Sequence, residues 1–185
     1  MGNLIFILGG ARSGKSAYAQ KLAEKHGGRV AFLATATASD DEMRTRIERH
    51  RSERPADWST LEIPHNIAAT LSADPLQADV VVLDCITLLV TNLLFLDGFD
   101  SPDENTATLR VDAEIAALLT LIENTPADWI IVSNEVGLGV VPEYPLGRIY
   151  RDLLGRANRQ LAAHADKVTW LVAGIPVPIE QYRET

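Results

Sequence analysis

The chain has 185 residues, a formal net charge of -8 at pH 7, 46% hydrophobic and 23% charged residues, and a single cysteine, Cys85. That length suits one domain, residues 1–185, with a substantial core. The acidic balance argues against a general affinity for nucleic acid, and the lone cysteine excludes an internal disulfide framework. No stretch approaches about 18 apolar residues without a charge, so no membrane span is expected. The first residues lack the basic region of a signal peptide, and a cytoplasmic location is the expectation.

In chain order, residues 3–8 are a short apolar run ending in glycines, the pattern of a buried strand. A helix is expected over 14–26, stopped by Gly27 and Gly28. Residues 30–34 read as a second strand. Ser39, with Glu42 three positions on, forms a capping box for a helix running to about residue 53, with Pro55 as its stop. A short strand over 58–63 and a short helix over 66–71 follow. Residues 79–83 are almost wholly apolar, as in a central parallel strand covered on both faces. A buried helix over 86–96, a polar loop over 98–105 and an amphipathic helix over 108–123 come next. A strand over 129–132, a loop over 137–145, a helix over 146–165 and a last strand over 168–172 complete the pattern. Strands alternate with helices, which makes the fold class α/β, a mainly parallel sheet flanked by helices.

Gly9-Gly10-Ala11-Arg12-Ser13-Gly14-Lys15-Ser16 fits the spacing G-x-x-x-x-G-K-S/T at a strand-to-helix junction. Glycines let backbone N–H groups close on phosphate oxygens, and the helix that starts here turns its positive end toward the anion. Lys15 can reach the β- and γ-phosphates, and Ser16 can hold Mg²⁺. The fold is therefore expected to be P-loop NTPase-like. Such a site also needs an acid at the end of a neighbouring strand, and Asp84 ends the apolar run at residues 80–83. Asp84 as a metal ligand and Asp84 as the cap of the next helix both stand open.

Five of the thirteen arginines fall between Arg44 and Arg54. At helical spacing Arg46, His50 and Arg54 share a face, with Met43 and Ile47 on another. A solvated surface explains such a helix, and so does a phosphate partner. His50 stands open as a surface residue, a general base or a nucleophile on phosphorus. The run 133–137 begins Ser133-Asn134-Glu135 and sits at a strand end, either facing the ligand edge or building a turn. Arg148 and Asn158 could serve the same pocket or face solvent. Cys85 is expected to be buried and inert.

These segments in this order resemble the bifunctional adenosylcobinamide kinase/adenosylcobinamide-phosphate guanylyltransferase family of cobalamin biosynthesis. The resemblance is carried by residues 9–16, 32–36, 40–55, 58–62, 83–94, 133–143 and 148–168, almost the whole chain. Its most specific parts are R-I-x-x-H-x-x-x-R-P, ending at Pro55, and the S-N-E-V-G run from Ser133. The resemblance implies phosphoryl transfer from ATP or GTP to adenosylcobinamide, then transfer of GMP from GTP to adenosylcobinamide phosphate through a guanylyl-histidine. The family's histidine falls on His50. Some members carry a second histidine just before it, where this chain has Arg49. The family's metal-site carboxylate falls on Asp84, where some members have Glu. Nucleotide contacts carry onto Leu33, Ala34 and Thr35, onto Arg51, Ser52, Glu53 and Arg54, and onto Glu62. A homo-oligomer, expected as a trimer, is also implied. Two other readings stay open: a P-loop small-molecule kinase without a covalent intermediate, and a GTP-dependent switch or binding module.

Overall fold

The structure is a computed structural model that describes residues 2–38, 41–52, 54–98 and 103–183, the side chains of residues 42, 43 and 46 excepted. The expected capping box of Ser39 and the nucleotide contact expected at Glu53 lie outside the described residues. The elements run β1 (Leu4–Gly9), α1 (Lys15–His26), β2 (Val30–Ala34), α2 (Asp41–Ser52), β3 (Ser59–Glu62), α3 (Ile67–Ala73) and β4 (Val80–Asp84). Then come α4 (Ile86–Leu94), α5 (Glu104–Glu123), β5 (Asp128–Val132), α6 (Pro145–His164), β6 (Lys167–Val172), β7 (Ile175–Pro178) and a 3₁₀ turn (Glu180–Tyr182).

The strands form one seven-stranded sheet in the order β3-β2-β4-β5-β1-β6-β7. β1 to β6 are parallel, and β7 returns antiparallel along β6. The apolar strands are explained by burial on both faces. Phe6, Leu33, Val81, Leu83, Trp129 and Ile131 look to a core built with α3, α4, α5 and α6. Ile7, Phe32, Val80, Val82, Ile130 and Val132 look the other way, onto Ala19 and Ala23 of α1. Their alternation follows from the two-residue repeat of a strand. Among the described residues no helix is long and apolar enough to cross a membrane.

Several expectations are corrected. The strand over 168–172 is not the last: β7 follows, and its Pro176 and Pro178 are tolerated because it is an edge strand. The expected loop over 98–105 ends early, since Asp103 caps α5 by accepting the Thr106 N–H at 2.7 Å. The short helix begins at Ile67, not Asn66. Its first amides are held by the buried Glu114 of α5, which accepts the N–H groups of Asn66 and Ile67 at 3.0 and 2.8 Å. β4 is not next to β1. β5 lies between them, so the acid at the end of β4 stands two strands from the phosphate loop.

Candidate nucleotide site

The phosphate loop is shaped by its glycines and by its neighbours. A Cβ on Gly9 would lie 2.5 Å from the Leu171 carbonyl oxygen of β6, so only glycine lets β1 and β6 stay this close. Gly14, at φ 93, turns the chain into α1 in the left-handed region that side chains avoid. Arg12 is left-handed as well, at φ 56. The turn between β6 and β7 supports the loop from outside, with the Gly174 N–H donating to the Ser13 carbonyl at 3.0 Å. Gly10, Ala11, Arg12 and Gly14 are exposed, and Ser16, in the first turn of α1, is half-buried.

Lys15 is buried. Its Nζ donates to the Gly10 carbonyl at 2.6 Å and lies 3.5 Å from the Ser13 hydroxyl. Burial lowers its pKa below the ordinary lysine value, while interactions with Cys85 and with the Asp84 carboxylate oppose that shift. Asp84 therefore acts on Lys15 from two strands away. The Asp84 side chain does not cap α4: Cys85 is the N-cap residue, without a side-chain capping bond. The register sets Glu62 beside Ala34, Ala34 beside Asp84, Asp84 beside Val132 and Val132 beside Ile7. The family-implied positions Glu62, Ala34 and Asp84 thus form one row along the carboxyl edge of the sheet, where ligands of open α/β sheets bind.

Other expected residues divide. Leu33 and Thr35 are fully buried, so their side chains belong to the core. The Thr35 hydroxyl donates to the Cys85 carbonyl at 2.7 Å and accepts the Cys85 N–H at 2.9 Å. It locks the end of β2 to the end of β4. Asn92 adds a second lock, donating to the carbonyls of Thr35 and Pro64 at 2.8 and 2.9 Å. The Asn92 role was missed; its signal is a lone amide in a largely apolar helix.

α2 carries Arg49, His50 and Arg51 in its last turn. The helix ends at Ser52, whose hydroxyl donates to the Arg49 carbonyl at 2.8 Å. Arg54 is therefore not on the helix, and the expected shared face of Arg46, His50 and Arg54 does not extend to it. Its guanidinium lies over the Phe32 ring, 3.6 Å from the centroid. Burial lowers the Arg54 pKa, as does Arg51, while Asp84 and Glu62 pull it up. The Arg54 Nε is buried without a hydrogen-bond partner. Arg51 pairs with Glu62 at 3.9 Å. A cleft of about 450 Å³, lined by residues that include Thr37, Arg44, Ile47, Arg51 and Glu62, runs beside α2. His50 is half-buried, and none of the described side chains of α2 is fully buried.

At the end of β5, Ser133 is buried and donates to Asn158 Oδ1 at 2.6 Å. Asn158 donates to the Asn134 carbonyl, and the Asn134 N–H donates to the Thr87 hydroxyl. Ser133 and Asn158 thus fasten β5 to α6. Arg148 braces the loop before α6 through the Pro142 and Glu143 carbonyls. The Cys85 thiol is pushed up to about 11, first by burial and then by Asp84, although the residue as a whole is partly exposed. Such a thiol is not a nucleophile at neutral pH.

A lysine-bearing glycine loop, a carboxylate and an arginine gathered at one sheet edge define a P-loop protein of the phosphotransferase kind. The family model described as "Cobinamide kinase / cobinamide phosphate guanyltransferase" matches residues 5–179. The chain is 44% identical over 181 residues to the bifunctional adenosylcobalamin biosynthesis protein CobU of Escherichia coli K12, covering 96% of this chain and 99% of that protein. It is 42% identical over 181 residues to the protein of that name from Salmonella typhimurium LT2, with the same coverage. It is 45% identical over 174 residues to the bifunctional adenosylcobalamin biosynthesis protein CobP of Pseudomonas aeruginosa PAO1, covering 94% of this chain and 95% of that protein. The chain belongs to the cobinamide kinase/cobinamide phosphate guanyltransferase family.

Proposed function

We propose that the chain phosphorylates the hydroxyl of the aminopropanol arm of adenosylcobinamide with ATP or GTP. It then transfers GMP from GTP to adenosylcobinamide phosphate through a guanylyl group on His50, giving adenosylcobinamide-GDP and pyrophosphate. Membership of the family makes it a bifunctional kinase and guanylyltransferase of cobalamin biosynthesis. The observation that supports the residue assignment is the row Glu62–Ala34–Asp84 on the carboxyl edge of the same sheet whose β1 ends in the Lys15 loop.

The donor set suits Mg²⁺. Ser16 offers a hydroxyl and Asp84 a carboxylate, hard oxygen donors of the kind that hold this ion together with water and substrate phosphate. When bound, Mg²⁺ neutralises phosphate charge. In the kinase step Lys15 and the N–H groups of Gly10 to Lys15 hold the γ-phosphate while the acceptor hydroxyl attacks in line. In the transferase step a neutral His50 ring nitrogen attacks the α-phosphorus of GTP. The nitrogen–phosphorus bond forms, the bridging phosphorus–oxygen bond breaks, and pyrophosphate leaves with its charge held by the same cradle. A phosphate oxygen of the acceptor then attacks the guanylyl phosphorus and frees His50. None of the described side chains of α2 is fully buried, which supports its carrying His50 to the nucleotide. Arg51 and Arg54 supply positive charge beside it.

The test is incubation with Mg²⁺ and GTP labelled at the α-phosphate, followed by denaturation and peptide mapping. An acid-labile, alkali-stable label on His50 is expected. GTP bound with no protein label would leave a P-loop kinase without a covalent intermediate.

A further inference from the structure

The loop joining β5 to α6 is unusually apolar for its exposure. Leu138 is 75% exposed, Val140 95%, Val141 59% and Tyr144 74%. Solvated loops are ordinarily polar, and several large apolar side chains this close together mark a binding surface. The loop starts at the nucleotide site. β5 ends between β1 and β4, so the loop leaves the sheet between the phosphate cradle and Asp84. Beyond the strand the parallel ladder continues: the Ser133 N–H donates to the Ile7 carbonyl at 2.9 Å and the Glu135 N–H to the Gly9 carbonyl at 3.1 Å. The base of the loop is thereby tied to the first glycine of the cradle.

The loop is also held in its exposed position. The Glu135 carboxylate accepts the Gly137 N–H at 2.5 Å, and Arg148 grips the Pro142 and Glu143 carbonyls at 3.0 and 2.6 Å. Apolar side chains displayed by such a braced loop lose little freedom on binding, which favours affinity. Whatever accepts the phosphoryl group must place its hydroxyl at the cradle while the rest of it lies outside. The acceptor in the proposed function is far larger than the arm that reacts, so most of it must rest on the surface around the cradle.

We propose that the loop bearing Leu138, Val140 and Val141 is the platform on which the bulk of the acceptor rests. Contact with it buries these side chains and sets the arm's hydroxyl toward the cradle. This inference rests on the function proposed above and adds the acceptor subsite to it.

The test compares wild type with the triple variant Leu138→Ser/Val140→Ser/Val141→Ser. The replaced side chains are exposed, so the fold bears little of the change. Adenosylcobinamide binding is read by equilibrium dialysis, and kinase kinetics are read with each substrate varied. The expected result is a rise of about tenfold or more in Kd and KM for adenosylcobinamide. The KM for the nucleotide and the acceptor-free labelling of His50 by GTP should stay at wild-type values. The apolar variant Leu138→Met/Val140→Ile/Val141→Ile should retain wild-type acceptor binding. Unchanged acceptor Kd and KM in the serine variant overturn the proposal. So does a changed sedimentation coefficient with unchanged acceptor binding, which would make the loop a contact between copies of the chain. Loss of His50 labelling together with nucleotide binding overturns it too, by assigning the loop to the nucleotide. A wild-type protein that neither binds nor phosphorylates adenosylcobinamide sinks the proposed function itself.

Discussion

Lys15 donates to the carbonyl oxygen of Gly10 at 2.6 Å, across the loop that both residues belong to. The ammonium is buried and below its ordinary pKa, yet Asp84 helps keep it charged. A buried cation needs partners, and here a carbonyl and a hydroxyl of the loop itself serve. In the proposed function, a phosphate entering the loop replaces weak neutral acceptors with anionic oxygens, a stronger bond in a site of low dielectric. Lys15→Ala should therefore lower kcat/KM of both the kinase and the guanylyltransferase reactions by about 10²–10³-fold. Either reaction surviving at the wild-type rate in steady-state assays would remove Lys15 from the common site.

His50 occupies a different position in the reaction scheme. It sits on a helix without a fully buried side chain among those described, so its replacement leaves the core untouched. His50→Ala should abolish label transfer from α-labelled GTP while the kinase rate stays within about threefold of wild type. Equal loss of both activities would make His50 a general binding residue instead of the nucleophile.

The loop between β1 and α1 was legible in the sequence because its pattern is local: glycines, lysine and serine lie within a few residues of one another. The place of Asp84 at the carboxyl edge of the sheet was legible because an apolar strand ends in an acid. What spacing could not carry is what the chain brings together from afar. Arg54 was placed on a helical face by periodicity, but Ser52 ends the helix and Arg54 stacks on Phe32 of another element. The row Glu62–Ala34–Asp84 depends on strand order, and so does the separation of β4 from β1. β7 was missed because prolines count against a strand unless its edge position is known. Thr35 and Leu33 lie in a segment that resemblance assigns to the nucleotide, but their side chains are spent on the core and on Cys85.

Glu114 offers a test of the fold that is independent of the site. It is buried in α5, and its two carboxylate oxygens take the N–H groups of Asn66 and Ile67 at the start of α3. Removing it strands two backbone donors and opens a gap between α3 and α5. Glu114→Ala should cost about 1–3 kcal/mol, the cost of leaving one buried donor, the Ile67 N–H, unsatisfied, since the Asn66 N–H is only partly buried. Glu114→Gln keeps one acceptor oxygen and should lose less. Urea denaturation measures both, and an alanine variant as stable as wild type would mean that water or a shifted helix satisfies those donors.

The Arg29–Asp79 pair ties the start of β2 to the start of β4 and gives a pH dependence of defined sign. Asp79 accepts from the Arg29 backbone N–H at 2.8 Å, from Nε at 3.1 Å and from Nη2 at 3.0 Å. The guanidinium hydrogen bond comes first and the backbone bond second in lowering the Asp79 carboxyl from 3.8 to about 2. A carboxylate held below its unfolded value favours the folded state above that value and loses the contribution as pH falls through the folded one. Its contribution is thus complete above about pH 4 and fades toward about pH 2. The group is solvent-exposed, so screening keeps the effect small. Asp79→Asn should lower the denaturation midpoint slightly at pH 7, and wild type and variant should converge as pH drops from 4 to 2.5. A difference of constant size across that window would show that Asp79 acts by packing or backbone geometry instead of by its charge.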